Sequence, residues 1–309
     1  MQGKYGWKKD TRKPDSVTNY HKRRLAVVPA AVEWSAYIPK IGNQDGVGEC
    51  TGFGFSEYIA TYAAQKGMIQ PHMDIFDSAN WLYNGARKME GTLHIDNGAY
   101  PDDVADWFVN NGGLLWTVWP FKDVLDETDP AEYAGNAILY ANRIKYRVAD
   151  GVDSIVSAIA EGYVVAIGTP WPYSWESYSS GVLPEINKDS LIAGGHETLL
   201  WGYQLFYNTD GTINYSKSYF FGSNSWGTNW GILISALGTT GGYKMPMSAF
   251  NVFKQIGGYD AHYITFGAAP NPPEPPTPTP SHCSCSGSSA KMMTKITHAL
   301  GGHGQWKYV

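Results

Sequence analysis

The chain reads as an α+β protein of two lobes, helical first and sheet-rich second. Helical spacing of apolar residues dominates its first half, short β-rich runs dominate its second, and Gly and aromatic residues crowd between those runs. With 309 residues, 43% apolar and 14% aromatic content, the chain can bury a substantial core. A cleft is expected where the helical half meets the sheet half.

Residues 1–32 alternate charged and polar groups around Tyr5 and Trp7, with basic clusters at Lys8-Lys9 and Lys22-Arg23-Arg24, and read as an extended arm leading into a main domain over 33–268. Phe55, Tyr58, Ile59, Tyr62 and Ala63 recur at helical spacing and Gly67 is a terminator, which predicts a buried helix over 50–65. A second helix is expected over 78–89. A third opens at Pro101, carries Val104, Ala105 and Phe108 on one face, and stops at Gly112-Gly113. After a short helix over 152–160 the period changes, and 163–167, 197–206, 218–221 and 262–266 read as strands. Residues 269–281, rich in Pro and Thr, read as a stiff linker, and 282–309 as a tail in which 290–300 could form a short helix with Met293, Ile296 and Leu300 on one face.

A formal charge of −5 and a pI near 5.9 give no pull toward nucleic acid, and no basic stripe interleaved with aromatics is present. No apolar run is long enough to span a bilayer, and residues 1–16 lack the apolar core of a signal peptide, so the expectation is a cytoplasmic protein, or a virion component if virus-encoded. Cys50 is unpaired before the tail's Cys283 and Cys285, so no disulfide is expected in the main domain. Cys283, Cys285, His298 and His303 are zinc-ligand types, but one residue between the cysteines is tight and the histidines are distant; no metal or cofactor is expected. The arm and the tail are the segments expected to meet a protein partner.

Cys50 heads the first helix, and far downstream come Gly194-Gly195-His196-Glu197 and Asn224-Ser225-Trp226-Gly227. A thiol needs a helix N-terminus and a neighbouring His to become a thiolate, and Cys50 with His196 supplies both. Asn224 is the natural orienter of the imidazole, with Trp226 as an apolar shield. Gln44, six residues before Cys50, offers a side-chain amide for an oxyanion alongside the Cys50 backbone N–H. Each residue alone has a plainer reading, an inert buried thiol, a structural histidine or a turn former; their joint order carries the chemistry.

These motifs resemble the papain-like cysteine proteases, peptidase family C1, from about Ile38 to Phe266. The resemblance implies a helical lobe with the nucleophile at the start of a central helix, a second lobe of β-barrel-like antiparallel sheet, and Gln44, Cys50, His196 and Asn224 as catalytic residues. It also implies that Asn97-Gly98-Ala99-Tyr100-Pro101 is the glycine-rich wall, with Gly98 and Ala99 meeting the substrate backbone, and that Tyr100, Pro101, Ala193, Gly195 and Trp226 line the groove. With no charge evident in that pocket, an apolar or aromatic side chain is expected two positions before the cut. Thr51 stands where a Trp commonly follows the nucleophile, Glu49 reads as a solvated charge beside the thiol, and the 43 residues ahead of Gln44 are short for an inhibitory prosegment, so the arm either leaves the groove open or covers it.

The expected function is a cysteine-type endopeptidase acting on peptide or protein substrates through an acyl-enzyme. The alternatives are a weakly active or inactive papain-like protein serving a larger assembly, viral among the options, and an amide transferase that passes the acyl group to an amine.

Overall fold

The computed structural model describes residues 5–12, 19–21, 25, 27–72, 77–149 and 151–268; the linker and tail expected over 269–309 lie outside the described residues. The first half folds into α1 (Cys50–Gln65), α2 (Ala79–Glu90) and α3 (Pro101–Asn111). Each helix stops where its sequence stops it. Gly67 (φ 69°) and Gly91 (φ 71°) adopt the left-handed conformation that glycine takes at no steric cost, just past the ends of α1 and α2. Ser78 caps α2 by accepting from Trp81 N (3.2 Å), and Pro101 with Asp102 and Asp103 starts α3.

Every residue of α1 from Cys50 to Ala64 is buried, as expected of a helix sheathed by both halves of the molecule. Its polar side chains therefore need partners, and several find them, although Thr51 Oγ1 has none among the described residues. Ser56 donates to Asp77 O (2.5 Å), Tyr58 OH to Ile264 O (2.6 Å), Thr61 Oγ1 to Glu57 O (2.7 Å), and Ser223 Oγ to Glu57 Oε2 (2.8 Å).

The sheet contains β1 (Asn19–His21), β2 (Ala31–Glu33), β3 (Ala141–Val148), β4 (Val165–Pro172), β5 (Ile192–Gln204), β6 (Tyr219–Ser223), β7 (Ile232–Ile234), β8 (Thr239–Pro246) and β9 (Asp260–Gly267). Its order is β1-β3-β9-β4-β5-β6-β8-β7, with β2 pairing separately on β5. All pairs are antiparallel except β1 with β3. Helices α4 (Val152–Ala160) and α5 (Ala249–Ile256) complete the second half.

The four expected helices and four expected strands all occur, giving the expected α+β arrangement with Cys50 at the start of α1. Strands β1, β2, β3, β7 and β8 and helix α5 were not anticipated. β1 and β2 are three-residue pieces whose strand character comes from distant partners. β3 mixes Arg and Lys among its apolar residues, and β8 opens with Thr-Thr-Gly-Gly, both patterns of low intrinsic strand signal.

Burial pushes the Glu57 carboxyl up from its ordinary 4.5 to about 7, although the Ser223 bond acts the other way. A group that holds its proton more tightly when folded stabilises the fold fully below the unfolded value and loses that contribution as pH rises through the folded one. Between about pH 5 and pH 8 the decline in Tm should therefore be smaller in Glu57→Gln than in the natural chain, by roughly 5 °C. Parallel Tm–pH curves would remove Glu57 as a source of that dependence.

Candidate active site

Cys50 is fully buried at the first position of α1. The loop before it is tied down by one carboxylate: Asp96 accepts from Gly48 N (3.1 and 3.0 Å) and from Tyr83 OH (2.7 Å), and Tyr83 OH in turn accepts from Gly98 N (3.1 Å). The nucleophile loop and the Gly98–Ala99 wall are thus held in one network. Neither Asp96 nor Tyr83 stood out in the sequence, because a lone Asp in a loop and a Tyr in a helix carry no motif. Gln44 joins the same loop to the sheet half. Its N–H donates to Ser225 O (2.8 Å), its Oε1 accepts from Ser225 Oγ (2.6 Å), and its Nε2 donates to Val47 O (2.8 Å), which uses one of that nitrogen's two hydrogens.

Glu49 is not the solvated charge the sequence suggests. It is 2% exposed, and burial raises its carboxyl well above the ordinary range, with Arg87 acting to lower it and Asp96 and Asp126 adding to the rise. Arg87 is itself buried, its guanidinium stacked over Tyr83 (4.5 Å) and donating to Asn84 Oδ1 (3.0 Å) and Asp126 O (2.9 Å).

On the sheet side, β4–β5 pairing sets His196 opposite Thr169, and β5–β6 pairing of Leu199 with Ser223 delivers the following residue, Asn224, to the imidazole. Asn224 Oδ1 lies 2.8 Å from His196 Nε2, so Nε2 carries the proton of that bond. Trp226 stacks on the ring (4.8 Å, 28°) and Trp171 meets it edge-on (4.9 Å, 81°). The Trp226 shield was expected; Trp171, from the uniformly buried β4, was not.

The groove between the halves holds the chain's own arm. Ala99 N donates to Gly6 O (2.8 Å), Lys8 N to Ala99 O (3.2 Å), and Trp7 N to Gly195 O (3.0 Å), so residues 6–8 lie as an added strand between the two walls, Trp7 parallel to Ala99. Gly6 passes so close to the nucleophile loop that a Cβ there would sit 1.6 Å from Gly48 O. Tyr5 lies edge-on to His196 (5.9 Å) and to Trp226 (6.0 Å), and its hydroxyl donates to Glu176 Oε1 (2.5 Å). Of the two possibilities the sequence left, the structure has the arm covering the groove.

Trp7 fills a pocket whose walls are glycines. A Cβ on Gly168 would fall 2.0 Å from the indole, and one on Gly195 would fall 2.6 Å from it. At its floor Asp260, the first residue of β9, accepts from Trp7 Nε1 (3.2 Å). The expectation of a pocket without charge is thereby corrected: one carboxylate, distant in sequence from every motif, lies at its base. Lys9 Nζ also reaches Asp260 (2.5 Å), and Lys8 Nζ pairs with Glu90 (2.6 Å). Arg12 pairs with Asp10 (2.8 Å) and Asp103 (2.9 Å). Tyr100 lies under the Arg12 guanidinium (4.3 Å). Gly194 supports Tyr5, whereas Ala193 lies farther along β5, near the register shift opposite Trp171 and Pro172, and Pro101 is buried as the first residue of α3.

Burial pushes the Cys50 thiol up to about 12. The backbone of Glu197 acts to lower it, the Glu197 carboxyl to raise it, and the backbones of Gly6 and Trp7 again to lower it. The sulfur therefore meets arm amides rather than a carbonyl carbon, while the Gly6 carbonyl is engaged by Ala99.

The family model for papain family cysteine proteases matches residues 28–233. Among solved structures, the chain is similar to xylellain, a cysteine protease from Xylella fastidiosa, at 21% identity and a TM-score of 0.66, covering 85% of this chain and 96% of that one. It is also similar to digestive procathepsin L 3 of Tenebrio molitor larval midgut (16% identity, TM-score 0.63, 85% and 76% covered). A third likeness is to bromelain protease from Ananas comosus in complex with the E64 inhibitor (19%, TM-score 0.54, 77% and 99% covered). No curated protein sequence matches the chain.

Because Gly6 has no room for a side chain, Gly6→Val should unseat the arm and expose the thiol. The Cys50 alkylation rate with iodoacetamide at neutral pH should rise at least about tenfold, and its pH midpoint should fall. Equal rates and midpoints in the two proteins would mean that the arm does not control access to Cys50.

Proposed function

Because the chain belongs to the papain family of cysteine proteases, whose substrates are peptides and proteins, we propose that it is a cysteine endopeptidase kept latent by its own N-terminal arm. The observation that carries this reading is the 2.8 Å bond between Asn224 and His196, which fixes the imidazole on the strand that borders the Cys50 sulfur.

With Nε2 held by Asn224, Nδ1 exchanges a proton with the thiol. Once the arm leaves, water and the α1 N-terminus favour the thiolate–imidazolium pair. The sulfur attacks the peptide carbonyl carbon, and the oxygen takes up the negative charge facing the Cys50 N–H and the Gln44 side-chain amide. His196 then gives its proton to the departing amine, leaving a thioester on Cys50. Water, deprotonated by His196, attacks that carbonyl; the acid departs and the thiol is regenerated. Trp226 and Trp171 keep water from the His196–Asn224 bond.

The test is intact-mass labelling with a peptidyl epoxide, comparing Gly6→Val with Gly6→Val/Cys50→Ala. One adduct on the first protein and none on the second is expected, together with peptide hydrolysis by the first. Labelling without hydrolysis of any peptide in a diverse library would overturn the endopeptidase reading. In the same background Asn224→Ala should lower kcat by about 10² and Gln44→Ala by about 10²–10³, both with Tm retained. Unchanged turnover would remove either residue from the mechanism.

A further inference from the structure

Three donors hold the Asp260 carboxylate among the described residues, and all three belong to the arm: Trp7 Nε1 (3.2 Å), Lys9 Nζ (2.5 Å) and the backbone N–H of Asp10 (3.1 Å). Asp260 is 6% exposed. A peptide that takes the arm's place removes all three at once and leaves a buried carboxylate to be satisfied.

The neighbouring cations are engaged with other carboxylates. Arg147 is paired with Asp102 and with Asp10 of the arm (3.1 Å), and Lys145 Nζ with Asp106 (2.6 Å). His262, beside Asp102 (3.2 Å), is held neutral because burial lowers its pKa to about 4. A donor on the substrate replaces the lost partners of Asp260 directly.

The shape of the pocket narrows the choice. Glycine walls at Gly168 and Gly195 clasp a flat ring whose N–H reaches the floor. A guanidinium is flat, positively charged and able to bond both carboxylate oxygens, whereas a branched aliphatic side chain is neither flat nor a donor. Resting on the endopeptidase reading for its link to cleavage, we propose that Asp260 makes this pocket selective for arginine in the bound peptide, and that the arm imitates such a substrate with the Trp7 indole and the Lys9 ammonium.

Binding can be read apart from chemistry. Full-length protein carrying Cys50→Ala would be titrated calorimetrically with blocked peptides that differ only by Arg or Leu at the pocket position. The seated arm competes equally with both, so the ratio of affinities reports the pocket. The Arg peptide should bind at least about tenfold tighter, with the difference lost in Cys50→Ala/Asp260→Ser. A Leu peptide that binds as tightly as the Arg peptide, an Arg preference that survives Asp260→Ser, or no binding of either at millimolar concentration would overturn the proposal.

Should Asp260→Ser fail to fold, the arm itself serves as ligand. Trp7→Arg should protect Cys50 from iodoacetamide at least about tenfold better than Trp7→Leu, and equal protection would overturn the proposal. Arginine selectivity in binding with no hydrolysis by the Gly6→Val protein would sink the endopeptidase reading and leave the pocket assignment standing.

Discussion

The seam between α1 and the sheet is the contact on which the site depends. At one end Gly54 lies so close to Glu197 of β5 that an added Cβ would come within 3.2 Å of Glu197 Cγ; farther along, Tyr58 OH is bonded to Ile264 O of β9 at 2.6 Å. Two such points, on a helix buried along nearly its whole length, fix its rotation as well as its position. The sulfur at the head of α1 and the imidazole on β5 belong to different halves of the chain, and their approach is only as definite as that seam. The Asp96 and Gln44 networks then fasten the loop before the nucleophile to the wall on one side and to the Asn224–Trp226 segment on the other.

What was legible in the sequence was local or strongly patterned. A sixteen-residue buried helix announces itself through Phe55, Tyr58, Ile59 and Tyr62, and the blocks around His196 and Asn224 are dense enough to be read without a structure. Asp260 was not legible. One acid at the start of a strand looks like any polar residue at an element boundary, and its meaning comes from antiparallel pairing with Gly168. Glu49 was misread for a related reason: a carboxylate in a polar loop is ordinarily solvated, and only the packing of Arg87 and Tyr83 beneath it removes the water. Tyr5 and Trp7 were visible as apolar residues in a charged arm, but no period identifies a segment whose partners are the walls of a groove.

The arm's backbone bonds to Ala99 and Gly195 carry almost no sequence information, since any extended segment can add itself to a wall by main-chain hydrogen bonds. Selection has to come from side chains, and two positions supply it in different ways. Gly6 is permitted by having no side chain beside Gly48, and Trp7 is chosen by a pocket of matching width. Tethering lowers the affinity that such an arm needs, because a short tether raises its effective concentration to about the millimolar range. A peptide in solution must therefore offer better chemistry in the pocket than the indole does.

Arm departure acts on two buried groups at once, with opposite signs. For Cys50, the return of water removes the largest contribution opposing the thiolate, so ionisation becomes easier. For Asp260, the loss of Trp7, Lys9 and Asp10 strips away every donor that the described residues give it. The first change favours the emptied groove and the second opposes it. A ligand with a cation at the pocket position answers the second change, since it restores a partner for Asp260. Access to the thiol and recognition of the side chain are in this way joined through the same few residues of the arm.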